Sequence, residues 1–231
     1  MQTATPDLFF EEKFLTEPAP LSFWKSVSLY LSSLSSDSQV ATIFPTSQQA
    51  VCHICSQIDF SKKISLIEYG PGVGVFSRFL LSRMRSDCTL ILIERNRRLY
   101  NHLKQIRDPR LMVFHESAEN VERVMKQAEV EEVDYVLSGI PFSRLKLKPK
   151  CKLLRSTRDI LRPGGKLLVY QAFGHLTHFL DAYFEQVRVE RKWRNLPPLW
   201  IAEATKGEIK DSTQALRLPQ PPEHRLQVTV A

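Results

Sequence analysis

Two carboxylates and three glycines in this chain have the types and spacing to hold a nucleotide-like ligand. The run Glu68-Tyr69-Gly70-Pro71-Gly72-Val73-Gly74 follows the apolar stretch ISLI and leads into a helix-like segment. Glycine lets a backbone turn sharply and lets a ligand approach where a Cβ would clash. In an open α/β sheet such a junction falls at the carboxyl end of a strand, where ligands bind. A dinucleotide site calls for G-x-G-x-x-G, with the helix start facing a pyrophosphate. Here the spacing is G-x-G-x-G, with Glu68 in front of it. A carboxylate repels a pyrophosphate and welcomes the ammonium of a methionine-like tail. The loop therefore favours S-adenosylmethionine over NAD. Glu94 ends a second apolar run about twenty residues after the last glycine, where an acid can accept both ribose hydroxyls. With its neighbour Arg95 it joins Glu68, Tyr69, Gly70, Pro71, Gly72 and Gly74 as the expected cofactor pocket.

Those groups need a scaffold. After ISLIEYG the pattern reads helix VFSRFLLSRMR, strand CTLILIERN, helix RRLYNHLKQI, strand RLMVFHES and helix AENVERVMKQAEV. It continues with strand VDYVLSGIPF, helix CKLLRSTRDIL ended by Pro163-Gly164-Gly165, strand KLLVYQAF and helix HLTHFLDAYF. VRVERKWR and LWIAEATK read as a closing pair of strands with no helix between them. Strict strand–helix alternation implies a doubly wound, Rossmann-like, mostly parallel sheet of seven strands with an antiparallel C-terminal hairpin. Upstream, ATIFPTSQQAVCHICSQID has a cap at Thr46 or Ser47 and an apolar stripe at Ala50, Val51, Ile54 and Ile58. Leu8–Leu15 and Leu21–Leu34 read as N-terminal helices; aromatics with a lysine on the second suit a membrane interface or a lid over the core. The domains expected are 1–44, a helical lid or interface segment, 45–206, the catalytic domain, and 207–231, a flexible tail.

Composition narrows the partners. The chain has 231 residues and a formal charge of +7. That surplus points to nucleic acid or an anionic membrane surface, or to a basic enzyme with neither. Arg144, Lys146, Lys148, Lys150, Lys152, Arg155, Arg158 and Arg162 are opposed only by Asp159 over that stretch. Such residues add about 1 kcal/mol each at an anionic bilayer; as a bland alternative they form a solvated face. Cys52 and Cys55 make a CxxC on a helical pattern, without a second ligand pair, so no metal site is expected. Four cysteines in this arrangement suit a reducing cytoplasm. No leader pattern is evident, and no run of 18 apolar residues exists.

The glycine loop and Glu94 resemble the class I S-adenosylmethionine-dependent methyltransferases over about Pro45 to Lys206. The resemblance implies S-adenosylhomocysteine as product. It sets Glu116, Ser117 or Ala118, after strand three, beside the adenine, with Ser117 where that family often has Asp. It makes Ser138-Gly139-Ile140-Pro141-Phe142 the acceptor loop, with Ser138 also reaching the cofactor and Phe142 covering the amine. Adenine N6-methyltransferases carry Asn or Asp at the first position of this loop, in patterns like N-L-P-F. SGIPF looks more like the bacterial phospholipid N-methyltransferases, whose loop resembles S-G-L-P. IFPTSQQA and LRPGGKLLVYQAF agree, although Ala172-Phe173 replaces that family's Thr-Tyr. The implied activity is stepwise N-methylation of phosphatidylethanolamine, by a peripheral protein at the cytoplasmic face of the inner membrane, as monomer or weak oligomer. Nucleic acid is the less favoured partner. An RNA adenine dimethyltransferase-like enzyme, or a cofactor-binding protein of this fold without turnover, stay as alternatives. Proton acceptors for an ammonium substrate are Tyr30, Tyr69, His115, His175 or water.

Overall fold

The computed structural model describes residues 48–142, 145–171, 177–192 and 199–207. The expected N-terminal helices, Tyr30, the cap at Thr46 or Ser47, Ala172-Phe173, His175 and the tail beyond Gly207 lie outside the described residues.

Helix α1 (Gln48–Cys55) precedes β1 (Ser65–Tyr69), and α2 (Val75–Arg83) follows it. Next come β2 (Thr89–Glu94), α3 (Arg97–Leu103) and β3 (Leu111–His115). A 3-10 turn (Ala118–Asn120) leads into α4 (Val121–Gln127), then β4 (Val133–Ser138), α5 (Leu147–Ile160) and β5 (Leu161–Gln171). The chain closes with α6 (Thr177–Asp181), β6 (Gln186–Lys192) and β7 (Leu199–Thr205). The strands make one sheet in the order β3-β2-β1-β4-β5-β7-β6. Strands β1 to β5 run parallel, and β7 lies antiparallel to both β5 and β6. The doubly wound sheet with its closing hairpin is as the alternation implies.

Two apolar layers cover the sheet, as parallel sheets require. Ile67 and Tyr69 of β1 face α4 and α5, with Val121, Val124, Leu153 and Leu154. Leu66 faces the other way, with Phe76, Leu80 and Leu81 of α2 and Ile54 of α1. Because successive side chains alternate, Glu68 belongs to the second face and Tyr69 to the first.

Two readings of the pattern are corrected. Helix α5 begins at Leu147, four residues before the expected Cys151, because Pro149 sits in its first turn, where a missing N–H costs nothing. Pro163-Gly164-Gly165 does not end that helix. It lies within β5, where the pairing to β4 slips from Val133↔Leu161 to Tyr135↔Lys166. Gly164 takes φ +74°, a left-handed turn that lets the strand bulge.

Candidate active site

Strand order reverses between β1 and β4, so the carboxyl ends of these neighbours form the crevice in which such sheets bind ligands. Tyr69 and Ser138 are register partners there. The Gly139 N–H donates to the Tyr69 carbonyl at 3.1 Å, and the Gly70 N–H donates to the Ile93 carbonyl at 3.0 Å. The glycine loop is thus pinned by backbone to β2 on one side and to the acceptor loop on the other. A Cβ on Gly70 would touch Ile140 at 3.4 Å, so the two loops also abut.

Gly70, Gly72 and Gly74 have φ of 63°, 59° and 80°, all left-handed. An L side chain at any of them is strained. A Cβ on Gly74 would also meet Leu103 of α3 at 2.9 Å. The Gly74 N–H closes a turn on the Pro71 carbonyl at 2.9 Å, and the Gly74 carbonyl accepts the first bond of α2 from Arg78 at 3.0 Å.

Both predicted acids are buried beneath this loop. Ser77, in the first turns of α2, donates to Glu68 Oε2 at 2.6 Å, while Glu68 Oε1 is buried with no hydrogen-bond partner. Burial first, and the Glu94 charge after it, push the Glu68 carboxyl up to about 8, against the Ser77 hydrogen bond. Glu94 accepts from the Gly72 N–H at 3.3 Å and from the Asn96 N–H at 2.8 Å. Burial pushes it up to about 6, opposed by those backbone donors. Asn96 in turn caps α3, its Oδ1 accepting from the N–H groups of Arg98 and Leu99. The strand end, the glycine loop and the helix start are thereby held by one carboxylate. Arg95 is exposed beside it.

These features fit S-adenosylmethionine. A buried carboxylate oxygen without a donor suits a ligand bearing an ammonium. Bare left-handed backbone leaves room for an adenosine to lie close. Glu94 has the position and the acceptor oxygens for ribose hydroxyls.

Other predicted residues fall elsewhere. The Tyr69 side chain is fully buried on the opposite face, its hydroxyl 3.2 Å from Thr157 Oγ1, and burial raises its pKa. It is no pocket-edge base, because residues next to Glu68 in a strand must point the other way; only its backbone reaches the crevice. Glu116 is bound to Arg123 and accepts from Ser117 N–H and Asn120 Nδ2. Ser117 caps the 3-10 turn through Glu119 N–H, and Ala118 is buried. The Glu116 N–H donates to the Glu94 carbonyl at 3.2 Å, so this segment does border the Glu94 end of the crevice. His115 donates from Nε2 to the Arg95 carbonyl and stacks on Tyr100. It lies three strand positions from the acceptor loop, roughly 14 Å, too far to take a proton there.

At the acceptor loop, Ser138 is fully buried and its Oγ accepts from the Ile140 N–H at 3.4 Å. Gly139 follows, then Ile140 and Pro141, both half-buried. Phe142 is fully buried in the α4–α5 layer. It is not an open cover over an amine, because this apolar ring drops into the core as the chain turns toward α5.

Tyr170 escaped the pattern reading. Its hydroxyl is 2.5 Å from where a Cβ on Gly139 would be, and its ring stacks on Phe76 at 4.4 Å. A tyrosine one residue before the end of a central strand was the available signal. Its burial at the end of an apolar run, LLVY, concealed it.

The family described as "Ribosomal RNA adenine dimethylase" matches residues 36–154, half of the chain. An "Ornithine lipid N-methyltransferase" of Singulisphaera acidiphila is 23% identical over 168 residues, covering 69% of this chain and 84% of that protein. Among solved structures, the Burkholderia thailandensis 1,6-didemethyltoxoflavin-N1-methyltransferase, with bound S-adenosylhomocysteine, aligns with TM-score 0.59 and 14% identity. It covers 83% of this chain and 92% of its own. The N-methyltransferase NodS of Bradyrhizobium japonicum, also in complex with S-adenosylhomocysteine, aligns with TM-score 0.56 and 13% identity, covering 78% and 99%. The chain belongs to the ribosomal RNA adenine dimethylase family and is an S-adenosylmethionine-dependent methyltransferase of class I fold.

Proposed function

We propose that this member of the ribosomal RNA adenine dimethylase family methylates the amine of a lipid head group, with phosphatidylethanolamine as first candidate and the cytoplasmic membrane surface as its workplace. The observation that carries the reading is the abutment of the two loops at the β1–β4 switch point. Gly139 N–H bonds to the Tyr69 carbonyl, and Ile140 lies within contact distance, 3.4 Å, of where a Cβ of Gly70 would be, so an amine lodged on Ser138–Pro141 lies next to whatever the glycine loop holds. The lipid choice is supported by the relative that acts on ornithine lipid and by serine, not Asn or Asp, at position 138.

S-adenosylmethionine, when bound, supplies a methyl group already activated on a sulfonium. The chain's task is then position and charge. Glu68 would face the ammonium of the methionine end, the backbone of Gly70, Gly72 and Gly74 would leave room for the cofactor, and Glu94 would accept from its ribose. Glu116, Ser117 and Ala118 would border the adenine. The loop Ser138 to Pro141 orients the nitrogen lone pair, and in-line positioning of this kind is the main catalytic effect in methyl transfer. Water is the proton acceptor that suits the described surroundings, since neither Tyr69 nor His115 reaches the acceptor loop.

The test is incubation of purified protein with labelled S-adenosylmethionine and either phosphatidylethanolamine in detergent micelles or ribosomal RNA. Label in mono-, di- or trimethylated lipid is expected. Label in RNA alone would select adenine dimethylation, the second reading, which the family match favours. Cofactor binding with no transfer to any acceptor would select a protein without turnover.

A further inference from the structure

We propose that the first two turns of α5 form the surface on which this protein rests against an anionic bilayer, presenting the acceptor loop to the head groups. The purpose of that surface rests on the lipid-acceptor reading; its existence is measured separately.

Helix α5 runs back across the sheet. Its last residue leads directly into Leu161, which pairs with Val133 at the start of β4, so its first turn stands at the carboxyl edge beside the crevice. Lys146 is only four residues past Phe142, and the Leu145 N–H bonds to the Phe142 carbonyl at 3.2 Å. At this end Lys146, Leu147 and Lys148 are all exposed. Leu147, at 41%, is one of two large hydrophobics so exposed among the described residues. Lys148, Lys152 and Arg155 follow at helical spacing on one solvent-facing stripe. The Lys150 ammonium lies over the Phe179 ring of α6 at 4.3 Å, a cation on an aromatic that also sits toward the carboxyl edge.

The pairing of charges is uneven along the helix. At the far end Arg158 is paired with Glu185 and Arg162 with Asp134. Near the crevice, none of Lys146, Lys148, Lys152 and Arg155 has an ion-pair partner among the described residues. Local helix chemistry did not select Lys146 and Lys148. The positive end of the helix dipole disfavours lysine at a helix start, and this first turn holds no acid. Positions that break a local rule without local compensation point to a role outside the fold. A leucine between two lysines matches an interfacial segment, in which the apolar group enters the acyl boundary and the cations meet lipid phosphates. RNA would use the cations, but has no use for an exposed aliphatic group.

The experiment is sedimentation of the full chain with vesicles of phosphatidylcholine containing phosphatidylglycerol, and with phosphatidylcholine alone. The protein is expected to bind the anionic vesicles and to be released by salt. The triple variant K146Q/K148Q/K152Q should bind about 100-fold more weakly, roughly fivefold per lysine. Leu147→Ser should weaken binding roughly tenfold. Arg158→Gln, which removes the same charge at the far end, should bind like the parent. S-adenosylhomocysteine binding and the melting temperature report that the variants are folded. The proposal is overturned if the parent ignores anionic vesicles, if the folded triple variant binds them undiminished, or if the variants lose affinity for ribosomal RNA alone. Failure of the parent to methylate phosphatidylethanolamine in micelles, with vesicle binding intact and weakened in the variants, would instead sink the lipid-acceptor reading and leave this surface standing.

Discussion

The two sides of the β1–β4 crevice are built from different materials. On the β1–β2 side, three left-handed glycines, two backbone bridges and two buried carboxylates make a closed cradle. On the β4–α5 side, one buried serine, a glycine fitted around Tyr170 and a run of exposed cations make an open shelf. The cradle holds charge where desolvation makes each carboxylate costly to ionise and strongly responsive to a cation. The shelf holds charge in water, where it acts by attraction at a surface and is screened by salt. On the proposed reading, the contrast assigns cofactor binding to single atoms, and acceptor choice to packing and summed surface charge. Changes on one side should therefore leave the function of the other intact.

The largest effect is expected on the cradle side. Glu94→Ala removes the acceptor of the Gly72 and Asn96 N–H groups and the proposed partner of two ribose hydroxyls. Loss of charge-assisted hydrogen bonds of this kind costs about 3 kcal/mol, or roughly 100-fold in S-adenosylhomocysteine affinity by calorimetry. Vesicle binding should not change. Unaltered cofactor affinity would break the comparison at its stronger end.

Next comes the join between the two sides. In Gly139→Ala the new methyl would overlap the Tyr170 hydroxyl and ring carbon, at 2.5 and 2.8 Å. The loop must shift, and displacements near 1 Å cost about 10- to 100-fold in a positioned reaction. The turnover rate should fall by that factor while cofactor affinity stays within about twofold, since the three nearest neighbours of the new methyl all belong to Tyr170. An equal loss of cofactor affinity would show that cradle and shelf are one unit.

Glu68 sharpens the comparison through pH. Its folded value of about 8 lies above the ordinary carboxylate range. Between about pH 4.5 and 8 the folded protein holds a proton that the unfolded chain has released, so stability falls as pH rises through that window. Glu68→Gln should flatten that fall in melting temperature. An ammonium ligand favours the ionised carboxylate, so cofactor binding at pH 7 should release a proton. That release appears as a dependence of calorimetric enthalpy on the buffer's ionisation heat. Glu94, at about 6, is already mostly ionised at pH 7 and contributes little to it. The same proton release in the Gln variant would remove Glu68 from the site.

The cradle was legible in the sequence because its chemistry is written in rare residue types at fixed spacing. Glycines at alternate positions and acids at two strand ends have few other uses, and the strand–helix alternation fixed the order around them. What escaped was facing. Buried parallel strands such as TLILIE and LLVYQ are apolar on both sides, so no alternation shows which way Tyr170 points. The facing of Phe142 is equally hidden: an aromatic after a strand suits a pocket or a core equally well. The bulge at Pro163-Gly164-Gly165 shares its composition with a helix stop, and only the pairing of β5 with β4 distinguishes them.

The smallest effect tests the shelf by its opposite end. Arg158 and Glu185 are paired at 2.6 Å, with side chains 28% and 45% exposed. An ion pair so close to solvent contributes about 0.2–1 kcal/mol, and salt screens it. Arg158→Gln should thus lower the unfolding free energy by less than about 1 kcal/mol in urea. It should leave both cofactor affinity and turnover unchanged. Arg158 sits at the amino edge of the sheet, away from the crevice, and its charge is already spent on Glu185. If removing it slowed methyl transfer as much as removing Lys148, net charge alone would be drawing the acceptor in. The position of the cations on the helix would then carry no information, and the distinction between cradle and shelf would reduce to one between a specific site and a uniformly basic protein.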